Sequence, residues 1–208
     1  MKRILVVNPK GGCGKTTITT NLTSYYTLWD VPVALIDLDP QRSSLEWLEN
    51  RSDALGPIVG IDGSHGNLTV NKKIQRVVID APAQITTADM KKLFEHADEV
   101  LIPVLPSPID IRAVGHFVGE LILEKMISKA RVGLVANRVR ENTLIYSDLE
   151  QFLGKLKIPL VTHLRDTQNY IRAAEDGQGI FEMAPYLADK DMEDWKPLIN
   201  WIEKDHKL

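Results

Sequence analysis

The chain has 208 residues, which suits one α/β domain rather than two, so 1–208 is read as a single unit. Hydrophobic residues make up 44% and the formal net charge is −3, so the molecule as a whole is no polybasic binder and any DNA contact must come from a local patch. One cysteine, Cys13, excludes an intrachain disulfide framework and a thiolate metal cluster. No stretch reads as a signal peptide or membrane span, which makes the cytoplasm the expected compartment.

In chain order, residues 3–8 form a short, apolar, β-branched run that predicts a buried parallel strand. Next comes Lys10-Gly11-Gly12-Cys13-Gly14-Lys15-Thr16-Thr17, and then a helical pattern over 16–28. A second strand over 33–36 delivers Asp37, and 43–50 reads as a helix. Residues 52–69, rich in Gly, Asp, Ser and Asn, are expected to be a loop. A third buried strand over 77–80 ends in Asp80. Helical and strand patterns then alternate: helix 87–97, strand 100–105, helix 111–128, strand 132–136, helix 144–156, strand 158–164, and helices near 168–176 and 192–204. Such alternation predicts a doubly wound, mostly parallel sheet with helices on both faces.

The glycine stretch carries the chemistry. Its glycines let successive backbone N–H groups turn inward onto phosphate oxygens, and the helix behind adds its positive end. Lys15 can reach the β- and γ-phosphates of a nucleotide and the Thr16 hydroxyl can ligate Mg²⁺. The common phosphate-loop pattern requires glycine where this chain has Pro9; the match is to the variant K-G-G-x-G-K-T-T, with a second lysine, Lys10, at the entrance. Ligands of open parallel sheets sit beyond the carboxyl ends of the strands, so Asp37, Asp39 and Asp80 are expected to face the nucleotide and to serve a metal shell and an attacking water. A lone strand-end aspartate is otherwise a turn or cap residue. Cys13 lies at a helix N-terminus, which lowers thiol pKa values, so redox control of nucleotide entry is one reading and a merely tolerated small side chain the other.

These motifs, in this order, resemble the deviant Walker A P-loop ATPases of the ParA/MinD family, and small ParA-type partition ATPases in particular. The resemblance runs from Arg3 to about Glu182 and includes the run Tyr170-Ile171-Arg172-Ala173-Ala174-Glu175-Asp176-Gly177. It implies ATP or ADP with Mg²⁺ held by Gly11, Gly12, Cys13, Gly14, Lys15, Thr16 and Thr17. It implies metal support from Thr16, Asp37 and Asp80, and water positioning by Asp39. Asn137-Arg138 resembles the adenine-recognition element, a surface turn being the alternative, and residues 103–110 resemble a proline-rich loop shaping nucleotide and dimer surfaces. The resemblance further implies an ATP-bound homodimer in which Lys10 reaches the partner's nucleotide. That dimer would bind nonspecific DNA on the nucleoid through regions containing Arg138, Arg140, Arg165 and Arg172. Release would follow hydrolysis stimulated by a ParB-like or other cargo adaptor. Plasmid or chromosome partition is the leading function.

Other members position a protein compartment, a receptor cluster or, as MinD does, a membrane-bound complex. In the last helical stretch Glu193, Asp194, Glu203 and Asp205 offset Lys196, Lys204 and Lys207, so a helix docked on the core is expected rather than a cationic membrane anchor. The first strand begins near residue 3, which leaves no room in this sequence for the helix-turn-helix extension of larger relatives.

Overall fold

The computed structural model describes residues 1–66, 68–140, 144–156 and 158–204, and only the backbone of 144–148. Its elements are β1 (Lys2–Val6), α1 (Lys15–Thr27), β2 (Val33–Asp37), α2 (Ser43–Glu49), β3 (Val59–Asp62), β4 (Arg76–Asp80), α3 (Thr87–His96), β5 (Glu99–Val104) and α4 (Pro108–Leu123). After a 3-10 turn at Met126–Ser128 come β6 (Arg131–Val139), α5 (Leu144–Leu153), β7 (Leu160–Arg165) and α6 (Asn169–Glu175), then a 3-10 turn at Ile180–Glu182 and α7 (Pro185–Glu203). Among the described residues the sheet has seven strands in the order β3-β2-β4-β1-β5-β6-β7, and every pairing is parallel. β1 lies between β4 and β5, so the sheet grows in opposite directions on its two sides. The crevice at that switch point opens at the strands' carboxyl ends, where the glycine loop leaves β1.

Side chains alternate across the sheet as a period of two requires. Ile4, Val6, Val78, Leu101 and Val135 face α1 and α7, while Leu5, Ile36, Ile79, Ile102 and Leu134 pack toward α3, α4 and α5. Both faces are covered, which is why the interior strands tolerate unbroken apolar runs. α1 is buried although rich in Thr and Ser. The hydroxyls of Thr20, Thr23, Ser24 and Thr27 bond back to the helix's own carbonyls, Thr20 to Thr16 O at 2.9 Å and Thr23 to Thr19 O at 2.7 Å, whereas the buried Thr19 hydroxyl finds no partner among the described residues.

Three expectations change. Residues 59–62 form an edge strand inside the stretch read as loop. β3 is largely exposed, so no apolar pattern marks it, and Gly60 lies where Leu45 and Leu48 pack over the backbone. α7 begins at Pro185 rather than near 192, with the proline in its first turn, where its absent N–H is not needed. α4 starts at Pro108 behind the N-cap Ser107 and ends at Leu123; the remainder of the predicted helix is the turn at Met126–Ser128. The charges at Asp205 and Lys207 that entered the reading of the last helix lie outside the described residues. Among the described residues no helix is long and apolar enough to cross a membrane.

Candidate nucleotide site

The glycine loop is built around two left-handed glycines, Gly12 at φ 76° and Gly14 at φ 96°, a conformation that favours residues without a Cβ. Gly14 is the N-cap of α1 and no side chain caps that helix, so its first N–H groups face the crevice. Buried Asn8 braces the loop: its Nδ2 donates to Pro103 O at 2.6 Å and its Oδ1 accepts from Lys10 N at 2.8 Å. The Lys15 ammonium donates to Asn8 O and Lys10 O, both at 3.2 Å, so the lysine lies folded along the loop. From the far side Asn137 Nδ2 donates to Cys13 O at 2.8 Å.

Cys13 is fully buried and its Sγ donates to Lys10 O at 3.2 Å. Burial pushes the thiol above its ordinary value, outweighing the nearby Lys15 charge. A helix N-terminus alone suggested the opposite, a lowered pKa, so the premise of the redox reading is reversed. An aromatic disulfide reagent should therefore label the folded chain far more slowly at pH 7 than the unfolded chain. Equal rates would refute this.

The carboxylates meet at the ends of adjacent strands, with Asp37 in register with Asp80, and Val6 beside Asp80. Asp37 is saturated. Its Oδ1 accepts from Asp39 N at 2.9 Å, and its Oδ2 accepts from Ser44 N (3.0 Å), Ser44 Oγ (2.6 Å) and Leu45 N (3.3 Å). It thereby caps α2, whose own N-cap, Arg42, offers no side-chain bond. Asp39 is partly exposed on the turn between them, its Oδ1 accepting from Gln41 N at 2.9 Å. Asp80 is 2% exposed. Burial pushes its carboxyl up to about 7; the Thr16 hydroxyl opposes this, the Asp37 charge adds to it, and the Lys15 charge and Ser44 hydroxyl oppose it. Among the described residues no three His, Cys, Asp or Glu side chains converge as a metal cage. The Thr16 hydroxyl and Asp80 carboxylate are hard oxygen donors, the kind Mg²⁺ accepts when phosphate oxygens and water complete its shell.

Beside the loop a groove of about 560 Å³ runs between Thr17 and Arg138 on one side and Thr167, Gln168, Tyr170 and Ile171 on the other. Arg138 is exposed, at φ 52°, its N–H donated to Asn137 Oδ1 at 3.0 Å. The four arginines considered for DNA differ in availability. Arg140 donates twice to Asp166, at 2.9 and 2.8 Å. Arg165 donates through Nε to fully buried Asp191, which Asn169 also holds at 2.7 Å. Arg138 and Arg172 are exposed. Residues that sequence reasoning passed over include Asn8, Ser44 and Asn21; Asn21 Oδ1 accepts from Ile180 N at 2.6 Å and so ties α1 to the C-terminal segment. Only Asn8 had a visible signal, its place between the first strand and the glycine loop.

A parallel sheet with a glycine loop and paired aspartates at its switch point defines a nucleotide-binding α/β protein. The family model described as the CobQ/CobB/MinD/ParA nucleotide binding domain matches residues 4–180, and the chain belongs to that family. It is similar to the Maintenance of carboxysome distribution protein A of Halothiobacillus neapolitanus, 32% identical over 191 residues, covering 86% of this chain and 87% of the relative. The fold is that of the MinD cell division protein of Aquifex aeolicus, with TM-score 0.76 and 21% identity over 100% of this chain and 99% of that one. It is equally that of a Cyanothece McdA–ATP complex, with TM-score 0.69 and 18% identity over 100% and 99% of the two chains.

Proposed function

We propose that this chain is an ATPase of the ParA/MinD type, acting as one unit, whose ATP-bound dimer positions a cargo, and that the cargo is a protein compartment. The observation that carries this reading is the identity to a carboxysome-distribution protein along most of both chains. Plasmid partition would use the same site residues, but the compartment reading has the higher sequence identity behind it.

In this reading the inward N–H groups of Gly11, Gly12, Cys13 and Gly14 and the N-terminus of α1 hold the phosphates. Lys15 swings from the loop carbonyls to the β- and γ-phosphates, and Thr16 and Thr17 complete the cradle. Thr16 and Asp80, supported by Asp37, would hold Mg²⁺, which would neutralise phosphate charge. Asp37 fixes the turn on which Asp39 sits, and Asp39 orients the attacking water. Lys10 reaches the nucleotide of a second copy, so the dimer lasts only while the γ-phosphate does. The groove beside Arg138 takes the base. Nonspecific DNA is the track, contacted first by exposed Arg138 and Arg172; Arg140 and Arg165 join by exchanging their carboxylate partners for phosphates. An adaptor on the cargo stimulates turnover.

Light scattering with ATP and Mg²⁺ tests the switch. Wild type should double in mass. Lys15→Ala should stay monomeric, and Asp39→Ala should dimerise with turnover reduced at least about a hundredfold. A Lys15→Ala dimer formed as readily as wild type would overturn the assignment. For the cargo, deletion should cluster the cell's protein compartments and leave plasmid retention unchanged; the reverse result would establish partition instead.

A further inference from the structure

The geometry points to a second surface, at the end of the sheet away from the nucleotide crevice, that rests on the headgroups of an anionic bilayer. The strands run parallel, so the segments that enter them gather at one pole. The turn 28–32, between α1 and β2, lies there beside 71–75, which leads into β4: Pro32 O accepts from Gln75 N at 2.8 Å and from Arg76 N at 3.2 Å. The start of β1 joins them, Lys2 N donating to Gln75 O at 2.9 Å. The end of α7 is held against them through Glu203, which accepts from Tyr26 Oη at 2.7 Å and Arg76 Nε at 3.1 Å.

The surface so formed is amphipathic. Trp29 is 67% exposed and Leu28 50%. The indole leans on the Tyr25 ring, centroids 6.4 Å apart, which supports it without covering it. Around it Lys72, Lys73 and Lys204 are exposed, and none of them pairs with a carboxylate among the described residues. Asp30 is an exposed carboxylate in the same turn, and Glu203 is already engaged by Arg76. The balance here is positive, in a chain whose net charge is −3. Nucleic-acid phosphates would engage the lysines and leave Leu28 and Trp29 in water. A bilayer interface satisfies both: its headgroups hold the ammonium groups, and its interfacial zone takes the indole. Of these groups α7 supplies Lys204 alone, so the contact is made by turns of the fold and not by an amphipathic anchor helix. The surface shares no residue with the nucleotide site, so its failure would leave the ATPase reading standing.

Co-sedimentation of the full chain with sucrose-loaded vesicles tests this, using phosphatidylcholine alone and equal parts of phosphatidylcholine and phosphatidylglycerol. Wild type should bind the anionic vesicles and not the neutral ones. Lys72→Gln with Lys73→Gln should lower the partition coefficient at least about tenfold, each lysine at such a surface being worth about fivefold. Trp29→Ser should lower it at least about fivefold. On binding, the tryptophan emission of wild type should move to shorter wavelength, and that of Trp29→Ser should not. All three positions are exposed, so the variants should melt with wild type. No binding to the anionic vesicles, or binding that both variants retain in full, overturns the inference. Should wild type ignore vesicles and the lysine variant lose affinity for a DNA duplex, the inference also fails and the pole is a nucleic-acid surface.

Discussion

Glu182→Ala should lower the unfolding free energy by about 3–5 kcal/mol, the scale seen when one member of a buried ion pair is removed. Glu182 and Arg51 are 2% and 4% exposed in their side chains. The guanidinium grips the carboxylate with both Nη groups and also donates to Gly177 O at 3.0 Å and, through Nε and Nη2, to Gly56 O at 3.2 and 3.1 Å. The carboxylate accepts further from Gly179 N at 2.9 Å. Alanine at 182 would strand a buried cation among carbonyls that do not neutralise it. Urea denaturation gives the measurement, and a change below about 1 kcal/mol would mean that water reaches Arg51. Substituting both partners, Arg51→Met with Glu182→Leu, should recover most of the loss, because an apolar pair carries no desolvation penalty. Nucleotide affinity should fall with the single variant as well. The segment this pair secures touches both helices of the site: Gln178 O accepts from Trp47 Nε1 of α2 at 3.1 Å, and Ile180 N donates to Asn21 of α1.

Asp80→Asn should act in the opposite direction on stability while removing Mg²⁺-dependent turnover. Raising a carboxyl from 3.8 to about 7 corresponds to about 4 kcal/mol against its ionisation. The sign follows from proton counting. Between about pH 4 and pH 7 the folded chain keeps a proton on Asp80 that the unfolded chain has released. The contribution of this group to stability therefore falls as pH rises through that window and is lowest above pH 7. Asparagine keeps the shape and removes the charge. In EDTA at pH 8 the variant should melt on the order of 10 °C above wild type, and at pH 4 the two should nearly coincide. A variant that melts lower at pH 8 would show that the Thr16, Ser44 and Lys15 contacts outweigh burial. The proposed function thus asks for a carboxylate at a place where the fold alone would prefer a neutral group.

Much of this was legible in the sequence, for identifiable reasons. Strands buried on both faces must be apolar throughout, so 3–8, 33–36, 77–80 and 100–105 stood out, each followed by the polar residues that line the crevice. The edge strand Val59–Asp62 did not, because an exposed edge needs no hydrophobic pattern. The first turns of α7 were hidden similarly: 185–191 contributes buried Ala188 and Asp191 to the interior, and an aspartate does not read as core. The ion pairs were invisible for another reason. Arg165 with Asp191 and Arg51 with Glu182 join residues far apart in the chain, and no local spacing announces them. The arginines proposed for DNA could therefore be located by region but not sorted by whether a carboxylate already held them.

At Asp37 four donors converge on one carboxylate, three of them on a single oxygen. An amide in its place would turn an NH₂ toward either the Asp39 amide or the head of α2, so no uncharged look-alike can serve there. The same anion also ties the head of α2 to the turn that carries Asp39. A displacement of the head of α2 would therefore pull on the same carboxylate that holds the Asp39 turn.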